Sequence, residues 1–210
     1  MWVMIGCSLL CLCLCLPLFF HFKPRNLSLA ALFKSLGTLC ALVPALISAL
    51  RLEPVSWIFV AALCFHSIAD YILEFRFELG AGLFLLGHVC YIAAFLKLYP
   101  LTSGHLILLV CFLCWLAFLL YRNRARLGKS LPLYAVYGTV LSIMAACGMA
   151  GGATSYSSGG LMTLLGAALF LFSDNLLFLR LLDPGRYRFN VLIMVTYDLA
   201  QLLLGCSCLL

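Results

Sequence analysis

The feature that most constrains this chain is a succession of long apolar runs separated by short polar connections. Hydropathy read against those breaks places helices at about 2–21, 30–50, 55–75, 80–97, 104–121, 132–150, 159–180 and 188–208. A bilayer core takes roughly 20 apolar residues per crossing, so eight crossings use about 160 residues and leave about 50 for seven connections and two ends. In a chain of 210 residues no separate soluble domain fits in that remainder. The chain is 66% hydrophobic and only 10% charged, whereas a soluble domain carries about 25% charged residues. A water-soluble globule is thereby excluded, and the sequence lacks the polar tracts, Gly-X-Y period and charged heptads of disordered, collagen and coiled-coil chains. The expected fold is all-α: a polytopic membrane protein, a bundle of eight transmembrane helices forming one integral membrane domain over 1–210.

The connections set the orientation, because cytoplasmic loops collect Lys and Arg. The first, third, fifth and seventh loops hold Lys23 and Arg25, then Arg76, then Arg122, Arg124, Arg126 and Lys129, then Arg180, Arg186 and Arg188. Those are ten of the thirteen basic residues. The other side holds Arg51 and Lys97, and Lys34 lies within the second helix. Both termini are therefore expected outside the cytosol, in a plasma membrane if bacterial or an endoplasmic reticulum membrane if eukaryotic. No basic residue precedes the first apolar run and no Ala-x-Ala site closes it, so it reads as an uncleaved anchor. The net charge of +6 is dispersed over short loops, a topology signal rather than a nucleic-acid surface. The twelve cysteines all fall within apolar spans and read as small apolar side chains, Cys111-x-x-Cys114 included.

Against this background the polar residues inside the spans stand out, since an ionisable group at a helix centre costs about 2.5–3.5 kcal/mol on insertion. They are Lys34, His66, Asp70, His88, Asp174 and Asp198, with Tyr91, Asn175, Asn190, Tyr197 and Gln201. At a rise of ~1.5 Å per residue, Lys34, Asp70 and Asp174 lie roughly 8 Å inside the cytoplasmic face, with His66, His88 and Tyr197 somewhat deeper. Glu74 and Glu78 are expected at the rim, solvated. Ala69-Asp70-Tyr71-Ile72-Leu73 resembles Ser173-Asp174-Asn175-Leu176-Leu177 four crossings later, as a parallel four-helix pseudo-repeat would produce. Two carboxyl groups facing one low-dielectric pocket resist ionising together and can supply an acid and a base. Glycines at 80, 82 and 87 and at 159, 160 and 166 are expected to admit close helix approach, and Gly148 to Gly152 to form an exported loop.

Lys34, Ala69-Asp70, Gly82 with Phe84-x-x-x-His88-x-x-Tyr91, Ser173-Asp174 and Thr196-Tyr197-x-x-Ala200-Gln201 occur in an order that resembles the YhhN-like lysoplasmalogenase family. The resemblance covers helices two to eight; His66 and Asp198 depart from the family's usual residues. It implies a membrane hydrolase cleaving the vinyl ether bond of lysoplasmalogens to a fatty aldehyde and a glycerophospho-base. Carried over by position, Asp70 and Asp174 are the catalytic pair, and Lys34, His88, Tyr197 and Gln201 line the substrate pocket. His66, Tyr91 and Asn175 join them from their placement on the same polar layer, and Lys34 is expected to approach the lipid phosphate. The partner expected is thus a lysophospholipid within the membrane, with no nucleic acid, no metal and no other cofactor. Two other readings use the same residues: a proton-coupled transporter or lipid translocator, and a metal-dependent lipid hydrolase built on His66, His88 and the aspartates.

Overall fold

A computed structural model describes residues 2–51, 53–183 and 189–210, and among these the chain is helical with no strand. The helices are α1 (Trp2–Phe22), α2 (Leu27–Leu50), α3 (Ser56–Leu73), α4 (Phe77–Leu98), α5 (Ser103–Leu127), α6 (Leu131–Thr154), α7 (Ser158–Leu182) and α8 (Phe189–Ser207). Side chains cap several starts: Asn26 accepts from the Leu29 amide at 3.0 Å, and Ser157 accepts from the Gly160 amide at 3.0 Å. Within α1 the segment Leu10–Cys15 winds as a π-helical turn.

Among the described residues seven continuous helical runs are long and apolar enough to cross a membrane, and the chain is an integral membrane protein. One run, Ser103–Thr154, has 52 residues. Held straight, it would extend about 78 Å through a ~30 Å core. Instead Gly128, at φ 51°, ends α5 in a conformation that a side chain resists. A single 3₁₀ turn over Gly128–Ser130 then starts α6. The arms lie together, since a side chain begun at Gly138 would meet Leu116 Cδ1 at 2.5 Å. The eight crossings expected from the sequence require each arm to span by itself, at 25 and 24 residues.

Several boundaries differ from those read in the sequence. α5 runs through Arg122, Arg124 and Arg126, because exposed Arg and Ala continue a helix after its apolar part has ended. Gly148 to Gly152 form no loop but the last turns of α6. Their missing side chains are what lets neighbours in: a Cβ at Gly152 would stand 2.4 Å from the Gly160 carbonyl oxygen. Gly82 admits no neighbour, with nothing within 4 Å of its would-be Cβ. Arg186 and Arg188, counted above in the seventh loop, lie outside the described residues.

The core is formed mainly by α2, α3, α4, α6, α7 and α8, with α5 peripheral. On α5 only His105, Leu119 and Leu127 are buried. The two halves meet through α2 with α8 and α4 with α6, a matched pair of contacts of the kind that exchange of equivalent helices produces. Asp70 and Asp174 sit on the corresponding helices α3 and α7.

Candidate functional site

One cavity of about 510 Å³ opens among the helices and is lined by both Asp70 and Asp174. Its walls are mostly apolar and aromatic, including Phe19 and Phe20 of α1, Phe84 of α4, Leu119 of α5 and Phe178 of α7. Such a shape suits an amphiphile whose chain replaces lipid contacts and whose polar part reaches a few placed groups.

The two aspartates have different surroundings. Asp70 is fully buried. Its Oδ2 accepts from Thr38 Oγ1 at 2.5 Å and from Tyr197 Oη at 2.7 Å, while Lys34 Nζ stands 3.3 Å from Oδ1. Two hydroxyl donors and an ammonium group favour its ionised form. Lys34 also reaches Glu74 at 3.6 Å, and Glu74 in turn pairs with Lys23. Glu74 is thus not the solvated rim residue expected, because its side chain is only 9% exposed and joins two lysines. Glu78 is exposed, as expected.

Asp174 is half-buried, and its Oδ2 accepts from Tyr137 Oη at 2.6 Å. Among the described residues no cation lies within ion-pair distance of it. Behind Tyr137 stands His88, whose Nε2 is 3.3 Å from the phenol oxygen and whose Nδ1 has no hydrogen-bond partner among the described residues. Since Tyr137 spends its hydrogen on Asp174, His88 donates Nε2–H to the phenol and keeps Nδ1 unprotonated.

A second layer links the two ends. Gln201 Nε2 donates to Tyr197 Oη at 2.8 Å and to His66 Nδ1 at 2.8 Å, and its Oε1 accepts from Tyr91 Oη at 3.1 Å. With Nδ1 accepting, His66 donates Nε2–H to the Phe84 carbonyl at 3.2 Å. His66 is therefore a neutral, fully satisfied core histidine, packed at 5.0 Å between ring centroids against His88. Gly87 makes room for it, since a Cβ there would lie 2.2 Å from His66 Cδ2.

Of the polar residues singled out in the sequence, Asp70, Asp174, Lys34, Asn175, Asn190 and Tyr197 line the cavity, as does Glu74. His66, His88, Tyr91 and Gln201 instead form the buried layer behind it. Asn175 accepts from Trp115 Nε1 at 2.8 Å, tying α5 to α7 at the cavity wall. Asp198 points away, where its Oδ1 shares the space beside Gly37 with Cys11 Sγ. Two residues escaped the sequence reading, Thr38 and Tyr137. Thr38 sits one turn from Lys34 on the same face of α2. Tyr137 falls three residues after Tyr134, a pair easily read as interfacial aromatics. Among the described residues, no three His, Cys, Asp or Glu side chains converge as a metal site would require.

No characterised protein and no solved structure matches the chain significantly. The model of the YhhN family does match, over residues 29–208, a span that takes in both aspartates and the side chains that hydrogen-bond to them. The chain belongs to the YhhN family.

Proposed function

We propose that the protein is a membrane hydrolase that cleaves the vinyl ether bond of lysoplasmalogens, releasing a fatty aldehyde and a glycerophospho-base. The observation that carries this reading is the unequal pair, Asp70 and Asp174, facing one apolar cavity. Asp70, held by an ammonium and two hydroxyls, is the carboxylate that takes a proton from water. Asp174, with a single neutral donor on Oδ2, carries its proton on the other oxygen as the acid. Asp174 protonates the alkenyl carbon distal to the ether oxygen, leaving an oxocarbenium ion. Water then adds at the oxygen-bearing carbon while Asp70 accepts its proton. The hemiacetal collapses to aldehyde and alcohol as that proton passes to the leaving oxygen and the hemiacetal hydroxyl returns its proton to Asp174, so both carboxyls are restored and the net change is addition of one water. Family membership and a cavity able to take a lipid chain support the same reading.

In this reading the end of the bundle bearing Lys23, Arg76 and the Arg122–Lys129 segment faces the cytosol, and both termini lie on the other side. The test is aldehyde release from alkenyl lysophospholipid by purified protein in detergent, where no compartments exist. Activity should fall by a factor of at least ~100 in Asp70→Asn and in Asp174→Asn. Near-normal release by either folded variant, or activity seen only as flux across vesicles, sinks the hydrolase reading.

A further inference from the structure

Three basic side chains among the described residues line the cavity: Lys23, Lys34 and Arg180. Two are already committed. Lys34 sits between Asp70 and Glu74, and Lys23 pairs with Glu74. The expectation that Lys34 meets the lipid phosphate therefore conflicts with its geometry, because an anion there would compete with two carboxylates for one ammonium. Arg180 is different. It lies in the last turn of α7, half-buried. Its guanidinium has no carboxylate or hydrogen-bond partner among the described residues.

We infer that Arg180 is the phosphate-binding residue of the cavity, taking the phosphodiester of a single-chain glycerolipid. A guanidinium presents a planar fork of donors that matches two oxygens of a phosphate, which an ammonium does not. Placed among the cavity's lining beside Phe178 and Leu181, its charge is screened less than in open water, and an anion there engages donors that no side chain among the described residues takes. The spacing fits as well. Arg180 follows Asp174 by six residues on α7, an axial rise of about 9 Å. The arginine stem spans part of that distance, and the glycerol spacer between an sn-1 ether and an sn-3 phosphate spans the rest. The phosphate would thus fix which bond of the chain lies beside the two aspartates, a positioning function that raises effective concentration at the reacting atoms.

This inference rests on the cavity being a lipid site, as proposed above, but its test does not need turnover. Full-length protein in detergent is titrated with an uncleavable 1-O-alkyl lysophospholipid and with the 1-O-alkylglycerol of the same chain, which lacks only the phosphate head. Arg180→Gln should weaken the first by ~10–100-fold and leave the second within about twofold, with Arg180→Lys intermediate. Equal loss for both ligands would mean a structural role, and no loss for either would mean no phosphate contact; each overturns the assignment. Inorganic phosphate should compete only weakly with the lipid, and binding as tight as the lipid's would make this a free-phosphate site instead. Phosphate-dependent binding without aldehyde release from the alkenyl lipid would uphold Arg180 while overturning the hydrolase reading alone.

Discussion

Tyr137 on α6 donates its phenolic hydrogen to Oδ2 of Asp174 on α7 at 2.6 Å, the one side-chain hydrogen bond that this carboxyl receives among the described residues. The phenol thereby reserves one carboxyl oxygen and leaves the other for the cavity. Tyr137→Phe keeps the ring and removes the donor, so Asp174 is free to rotate and its proton is no longer aimed. The expected result is a kcat lower by ~10–100-fold with KM nearly unchanged, since Asp174 gains negative charge as it gives up its proton and a hydrogen bond to a charged group contributes about 1.5–3 kcal/mol. Steady-state aldehyde release at varied lipid concentration measures both, and a change in KM alone would contradict this role.

Lys34 and Asp70 form an ion pair at 3.3 Å with side-chain exposures of 8% and 0%. Removing one partner leaves an uncompensated charge in the bundle. Lys34→Met should therefore destabilise the protein by ~3–5 kcal/mol, while Lys34→Met combined with Asp70→Asn should cost less than the first change alone. Thermal unfolding of the three variants in one detergent reads the coupling directly. Strict additivity would show that the pair is not coupled.

Three glycines offer a graded test of helix approach. At Gly205 an added Cβ would lie 2.0 Å from the Ala41 carbonyl oxygen, backbone that cannot swing aside. At Gly87 it would meet the His66 ring at 2.2 Å, and at Gly82 nothing. Substitution by Ala should lower thermal stability most at 205, less at 87, where overpacking costs about 1–3 kcal/mol, and hardly at 82. Gly87→Ala should also reduce activity by tilting His66 away from Gln201.

Orientation is checked by truncation fusions to a phosphatase that works only when exported. A fusion after Lys129 is expected to be inactive, and one after Ser155 active, because these positions flank α6. The opposite pattern would invert the bundle and put the lysine-rich end of the cavity outside.

Much of the architecture was legible because a membrane permits few solutions: hydrophobic runs alone located the long apolar helices among the described residues, and the cost of burying charge singled out Lys34, Asp70 and Asp174, which line the cavity. Hydropathy could not place the end of α5, since a helix leaving the bilayer changes its solvent but not its hydrogen bonding. Nor could it separate the cavity wall from the layer behind it. His66 and Tyr197 both read as intramembrane polar residues, and only the donor directions of Gln201 show that the first is satisfied internally and the second faces Asp70. Tyr137 was missed because a tyrosine's role depends on where its hydroxyl points, which residue type does not encode.

α1 has a further consequence. The family match begins at residue 29, after α1 has ended. Yet Phe19 and Phe20, with Lys23 and Pro24 just beyond them, close one side of the cavity. Part of the cavity's calibre is thus written outside the stretch that carries its chemistry. Exchanging α1 would widen or narrow the room for a lipid tail while Asp70, Asp174 and their hydrogen-bond partners stayed as they are, leaving this helix as the natural place for such a protein to change its diet.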